Sequence, residues 1–173
     1  FMKLLLMIVL SFINISFLQA DQLFLWGQNN ASQLGEGTDT NRITPFLIEN
    51  MTNWKQVSCG EYNTLMIKND GTLWGCGLNG SGELGDGTTI QRKIPILISD
   101  EKDWKFVSAG GNHTLAIKNN GTLWAWGYNG WGQLGDGTKV QRKSPVQIGN
   151  DTNWIMVSCG YDNSFALKSD KTL

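Results

Sequence analysis

The stretch WKFVSAGGNHTLAIKNNGTLWAWGYNGWGQLGDGTKVQRKSPVQI, residues 104–148, decides the fold of this chain. Trp104–Ser108 alternates in polarity and then meets Gly110, which predicts a short strand. His113–Lys118 is a second strand candidate. Asn119-Asn120-Gly121 predicts a tight hairpin, because Asn-Gly tolerates the positive φ that such turns need. Thr122–Trp126 forms the third run, and a glycine-rich loop follows from Gly127 to Thr138. Ser144–Ile148 is the fourth, and Pro145 removes a backbone donor there, which suits an edge strand. No helical period runs through the segment.

The same pattern recurs on both sides at a spacing of 50 residues. Gly27, Gly77 and Gly127 are in register, as are Leu34, Leu84 and Leu134. So are Arg42, Arg92 and Arg142, Pro45, Pro95 and Pro145, and Trp54, Trp104 and Trp154. Counted from Asp21, the units are 21–70, 71–120 and 121–170, and Lys171 opens a fourth at 171–173. A four-stranded sheet of this length cannot bury both faces alone and must stack on its neighbours around an axis. The expectation is an all-β propeller of four-stranded antiparallel blades, with about three blade equivalents present.

Composition fits this reading and excludes others. Glycine is 21 of 173 residues and tryptophan is 8, while charged residues are 17 % against a usual value of about 25 %. The net charge of −1 excludes a strongly basic nucleic-acid surface and an acidic solvating tail. One histidine and three cysteines leave little material for a metal site. Residues 2–20 read MKLLLMIVLSFINISFLQA: a lysine, an apolar run over 4–18, then Gln19-Ala20. That layout predicts a signal peptide over 1–20, cut after Ala20, and a secreted or periplasmic mature chain over 21–173. The alternative is an uncleaved membrane anchor, although the run is short of the roughly 20 apolar residues a span needs.

Two stretches carry a family resemblance. VSAGGNHTLA (107–116) and GTLWAWGYNGWGQLG (121–135) resemble the two halves of the regulator-of-chromosome-condensation repeat, and the likeness recurs three times from Asp21 onward. The resemblance implies a β-propeller, usually of about seven blades, closed by pairing strands from the two chain ends. The chain reaches Leu173 in phase with Leu73 and Leu123, inside a strand, which predicts part of a larger ring. A chain of three units would instead complete the blade begun by Trp154–Lys168 with the opening strand Gln22–Gly27, and would need self-association.

Residues that invite chemistry have repeat-based explanations. Gly80–Gly85 and Gly130–Gly135 spell GxGxxG, but a dinucleotide site needs a helix after that motif, and a proline-bearing strand is expected here. His113 aligns with Asn63 and Asn163, so a structural hydrogen-bonding role is expected rather than general-base chemistry. Cys59 and Cys159 align with Ala109, which predicts a small buried slot, and Cys76 stands where Trp26 and Trp126 stand. Glu36, Asp86 and Asp136 recur in a loop where an acidic side chain caps nearby amides. One carboxylate per loop is thin material for calcium. No catalytic residues, cofactor site or metal site are assigned.

Positions that break the repeat carry the functional expectation. Trp131 aligns with Ala31 and Ser81, and Tyr128 with Gln28 and Leu78. Tyr62 and Tyr161 are likewise aromatic where their sisters are not. A packed core position does not vary from alanine to tryptophan, so these four are expected on loop surfaces as anchors for a protein partner. The leading expectation is therefore a non-catalytic, exported propeller that binds protein through its loops. The resemblance includes exported relatives such as a proteinaceous inhibitor of β-lactamase, from which only the loop-binding mode carries over. It also implies an alternative, guanine-nucleotide exchange on a small GTPase, or the propeller part of a larger enzyme.

Overall fold

The computed structural model describes residues 22–48 and 52–170. The expected signal peptide over 1–20 and the opening of a fourth unit at 171–173 lie outside the described residues. Every regular element among the described residues is a strand. In chain order these are β1 (Phe24–Gly27), β2 (Arg42–Leu47), β3 (Trp54–Cys59), β4 (Asn63–Lys68), β5 (Leu73–Gly77) and β6 (Arg92–Ser99). They continue as β7 (Trp104–Ala109), β8 (His113–Lys118), β9 (Leu123–Gly127), β10 (Arg142–Ile148), β11 (Trp154–Cys159) and β12 (Ser164–Lys168).

These strands form two four-stranded antiparallel sheets, β3-β4-β5-β6 and β7-β8-β9-β10, flanked by two-stranded sheets β1-β2 and β11-β12. The expected propeller blades are thus present, and the proline-bearing strands β6 and β10 lie at the outer edges as expected. β3, β7 and β11 meet from sheet to sheet and form the inner edge. β1-β2 corresponds to the outer half of a blade and β11-β12 to the inner half of another. Sequence reading allowed the opening strand to complete the blade begun by Trp154–Lys168. Within one chain it does not, because two complete blades stand between those halves.

The hairpin at Asn119-Asn120-Gly121 differs in detail from the expected turn. Positive φ falls on Gly121 (77°) and not on Asn120. Gly121 N–H donates to the Lys118 carbonyl (2.9 Å) and Lys118 N–H to the Thr122 carbonyl (3.1 Å). This is a type I turn followed by a glycine bulge, so one left-handed residue suffices.

The core lies between blades. Leu65, Ile67 and Leu73 of one blade pack with Trp104, Val107 and Ala116 of the next, and Leu84 and Trp126 complete the cluster. Trp104 is fully buried and meets Trp124 and Trp126 edge-on, with centroids 5.8 and 6.0 Å away. Lys118 runs over Trp104 and Trp124 (4.8 and 4.4 Å) and ends on Glu101 (2.5 Å). Its charge is therefore held buried over two indole faces and is paired with a carboxylate at the edge of the seam.

Polar bonds stitch the same seam. The hydroxyls of Thr64, Thr114 and Ser164 donate to the carbonyls of Gln33, Glu83 and Gln133 in the long loop of the preceding blade, at 2.7, 2.8 and 2.6 Å. The Trp126 indole N–H donates to the same Glu83 carbonyl (2.9 Å), and Cys76 sits against Gln33 in the equivalent way. Gly85 is required there: a Cβ on it would lie 2.7 Å from Trp126 Nε1.

The cysteine slot differs from expectation. Ala109 is buried, Cys159 is half-buried and Cys59 is exposed. Cys159 and Ala109 each receive a neighbouring inner strand, through Ser108 and Ser58 respectively. Among the described residues the half-blade β1-β2 has no inner strand to cover Cys59.

The acidic loops cap amides as expected: Asp86 and Asp136 accept from Thr88 N–H and Thr138 N–H (2.9 Å each). Each also binds the arginine six residues on, Arg92 (2.5 Å) or Arg142 (2.8 Å), and Glu36 binds Arg42 (2.6 Å). The buried amides of Asn29, Asn79 and Asn129 close the loops by accepting from Leu34, Leu84 and Leu134 N–H. Burial opposes the ionised Asp136, but hydrogen bonds from Thr138, Arg142 and Asn129 outweigh it and hold the carboxyl at about 2. Glu83 stands where its sisters are Gln33 and Gln133, and burial pushes its carboxyl up. One oxygen accepts from Ser81 N–H (2.7 Å) and the other has no partner among the described residues.

Two predictions follow from this packing. Trp104→Ala removes the seam's central ring and should cost about 3–5 kcal/mol in urea unfolding, whereas Trp131→Ala should stay within about 0.5 kcal/mol. Asp136 stabilises the fold above the ordinary carboxylate value, and that contribution is lost as pH falls through about 2. Glu83 acts in the opposite sense: its contribution is complete below the unfolded carboxyl value and is lost as pH rises through its raised folded value. Glu83→Gln should therefore raise stability at pH 7 by about 1 kcal/mol or more, and Asp136→Asn should flatten the acid limb. Both are read from unfolding midpoints across pH.

Candidate functional site

Strand direction alternates within each blade, so the loops at 60–62, 78–91, 110–112, 128–141 and 160–163 all emerge at one end of the stack. All four repeat-breaking aromatics lie in these loops. Tyr62 follows β3, Tyr128 and Trp131 follow β9, and Tyr161 follows β11. The fold thus gathers onto one end residues that are up to 99 positions apart in the chain, from Tyr62 to Tyr161.

Their exposure is not uniform. Trp131 is 71 % exposed and Tyr161 60 % exposed. Tyr62 and Tyr128 were expected on the loop surface but are half-buried. The Tyr128 ring folds back over Gly130, where a Cβ would collide with its hydroxyl. Tyr62 sits where its carbonyl receives Leu78 N–H (2.8 Å), which ties its loop to the end of β5.

The inner rim of this end is built from three consecutive β-turn loops. Glu61 N–H donates to the Gly110 carbonyl (3.3 Å), and Gly111 N–H donates to the Tyr161 carbonyl (3.1 Å). Gly111 allows this approach, since a Cβ there would lie 2.8 Å from the Tyr161 carbonyl oxygen. The Glu61 carboxylate beside the Tyr161 hydroxyl pushes its ionisation up, and Asp162 and Tyr62 act in the same sense. Trp131 and Asp162 line one groove beside this rim. The surface is therefore aromatic and acidic, a combination suited to apolar and basic side chains on a partner.

His113 is fully buried at the base of this region. Its Nε2 lies 2.9 Å from the Ser164 hydroxyl of the next unit. Sequence reading expected bonds to backbone groups; the side chain instead bridges two units through a hydroxyl. Burial lowers its pKa, opposed by the charge of Asp162. The expected structural role therefore has a geometry, and the ring is out of reach of any ligand. The Gly80–Gly85 and Gly130–Gly135 loops run on into the strands β6 and β10, so the helix that a dinucleotide site requires does not follow either. Among the described residues no group of three or more histidine, cysteine or acidic side chains is placed to hold a metal.

Sequence reasoning did not single out Glu61 and Asp162, which give the rim its charge. The signal was present: Glu61 aligns with Gly111 and Tyr161, and Asp162 with Tyr62 and Asn112, so both positions vary between units.

Comparison with known proteins places this geometry. The family model for the regulator of chromosome condensation (RCC1) repeat matches residues 20–67, 70–117 and 120–167. A second model with the same description matches 54–83 and 104–133. The fold resembles Prp20p from Saccharomyces cerevisiae, in a structure reported with its binding properties to Gsp1p and histones. That likeness has a TM-score of 0.75 and 23 % identity over 87 % of this chain and 41 % of that one. It also resembles human WBSCR16, with a TM-score of 0.75 and 22 % identity over 87 % of this chain and 41 % of that one. Yeast RCC1 (Prp20) bound to Kap60 gives a TM-score of 0.74 and 23 % identity, covering 87 % of this chain and 39 % of that one. The chain thus spans about two-fifths of the length of these solved structures. Three repeat matches covering most of the sequence, on a stack of antiparallel blades, show that this chain belongs to the regulator of chromosome condensation (RCC1) repeat family.

Proposed function

We propose that this chain is a non-catalytic propeller scaffold, exported by residues 1–20, that binds a partner protein through the loop end carrying Trp131 and Tyr161. The observation that carries the reading is the gathering of four repeat-breaking aromatics of the loops, Tyr62, Tyr128, Trp131 and Tyr161, on one end of the stack. Blade-forming positions repeat because every seam needs the same packing. Loop positions have no such constraint, and large aromatics there bury much area at little entropic cost when a partner docks. Glu61 and Asp162 beside them favour a partner patch with basic side chains, and association should weaken as salt rises.

The test is comparative. Cross-linked partners recovered from the exported fraction of the source cells should be lost with Trp131→Ala/Tyr161→Ala and kept with Lys102→Ala, which changes the opposite end. An unchanged partner set in the double variant would overturn the reading. Export is checked separately: the amino terminus of the recovered chain should be Asp21.

A second reading is guanine-nucleotide exchange on a small GTPase. It draws on family membership and on Prp20p, whose reported binding includes Gsp1p. Accelerated release of labelled GDP from a small GTPase by this chain would favour it over a scaffold role.

A further inference from the structure

We propose that Glu83 is a proton-dependent latch. With its carboxyl protonated it ties the long loop of one blade to the rim loop 110–112 of the next, and with the carboxyl ionised it releases that tie. The observation is a donor turned into an acceptor at one position of the repeat. Gln33, Glu83 and Gln133 are sisters, and all three are buried. In each, one side-chain oxygen accepts the backbone N–H two residues earlier. The donors are Ala31 for Gln33 (3.0 Å), Ser81 for Glu83 (2.7 Å) and Trp131 for Gln133 (3.1 Å). That bond orients the group and so fixes its other atom. In Gln133 the other atom is the amide nitrogen, which donates to Asp162 Oδ1 in the rim loop after β11 (3.5 Å). In Glu83 it is Oε1, which is buried and has no partner among the described residues.

Glu83 lies in the seam between the two complete blades, so the half-blades take no part in its surroundings. Its carbonyl accepts from Thr114 Oγ1 (2.8 Å) and Trp126 Nε1 (2.9 Å), which pins the long loop on β8 and β9. The rim loop reaches the same point. A Cβ on Gly127 would lie 2.5 Å from the Asn112 carbonyl oxygen and 3.2 Å from the Glu83 Cα. Asn112 is the sister of Asp162 and brings a side-chain oxygen to the corresponding position of its rim loop. A carboxylic acid can donate to that oxygen as the glutamine amide does, whereas a carboxylate can only accept. Ionisation therefore leaves an unpaired charge in the seam, which costs more than the hydrogen bond alone.

Neighbouring charges do not relieve it. In the same loop, Asp86 is paired with Arg92. From β10, Lys143 packs its Cα over Gly82 and is itself exposed. From β9 the facing group is the neutral indole of Trp126. From β8, His113 reaches the other way, to Ser164, and feels the charge of Asp162. Glu61 lies beside Tyr161. Burial thus dominates and raises the Glu83 carboxyl, against the N–H groups of Ser81 and of Glu83 itself, which favour the ionised form. The latch is complete below the ordinary carboxyl value of 4.5 and is lost as pH rises through the raised folded value. Both tied loops belong to the loop end, so that end is ordered in acid and loosened in base. That the latch governs partner binding rests on the role proposed above for this end; the latch itself does not.

The test follows the isotope-labelled 173-residue chain by nuclear magnetic resonance across pH. The Trp126 indole N–H and the Asn112 amide report the two sides of the tie. They should shift together, with one midpoint above 4.5. Exchange protection factors in 78–85 and 110–112 should fall about tenfold per pH unit between 4.5 and that midpoint, then level off. Glu83→Gln, which installs the sister residue, should abolish the shift and hold protection at its acid level. Asn112→Asp installs the sister carboxyl and should move the midpoint up, because two carboxyls then share one proton. His113→Asn, also a sister residue, should leave the titration in place. A midpoint at or below 4.5 would overturn the proposal. So would a titration that survives Glu83→Gln or vanishes with His113→Asn. Constant protection in 110–112 while the Trp126 indole shifts would overturn the tie between the loops. Capture of the cross-linked partner should weaken with rising pH in the unmodified chain and not in Glu83→Gln. A latch that titrates while capture ignores pH would overturn its link to binding alone.

Discussion

The seam between successive blades is the interaction on which the rest of this molecule depends. A single four-stranded sheet of this size has two faces to bury and no layer of its own to bury them with. The chain solves this by making each unit the cover of the next. A hydroxyl on the second strand reaches back to a carbonyl of the preceding loop, from Thr64, Thr114 and Ser164. An indole or thiol on the third strand packs against a glycine of that same loop. The seam tolerates both Trp126 and Cys76 because the loop glycine leaves the space and the carbonyl accepts from either group.

Because every seam is the same, the loops inherit fixed positions without contributing to the core. Each long loop is closed by its own buried asparagine and by an acid–arginine pair, so its framework is set locally. What remains variable is its outward surface. Trp131 stands on a framework shared with Ala31 and Ser81, and its replacement would leave that framework intact. Stability therefore does not rest on the outward loop surface, and a repeat scaffold can vary that surface without changing fold.

Much of the fold was legible in the sequence, because a period of 50 residues reports each structural requirement three times. The outer-edge prolines, the glycine turns and the tryptophans of the seam could all be placed by register. The candidate site was legible in part. Departures from the repeat pointed to the well-exposed Trp131 and Tyr161, but also to Tyr62 and Tyr128, which are half-buried, Tyr128 by folding back over Gly130. Glu61 and Asp162 were passed over, since a charged residue in a loop is unremarkable until its neighbours are known. The Cys59 slot misled for a related reason: its burial depends on a neighbouring strand and not on its own identity.

The sequence by itself determined the unit: four strands, their order, their turns and the residues that must face a neighbour. These are local or periodic properties, carried by alternation, glycine and proline over spans of a few residues. The tertiary structure decided which of those faces actually have a neighbour. Trp26 and Trp126 obey the same local rules, yet one is exposed and the other fully buried. That difference arises because burial at a seam is a relation between two units, and the position of a unit in the stack is not encoded within the unit. The gathering of Tyr62, Tyr128, Trp131 and Tyr161 at one end has the same origin. Antiparallel strand direction and the turn of the stack bring distant loops together, and neither is visible in the residues of any single loop.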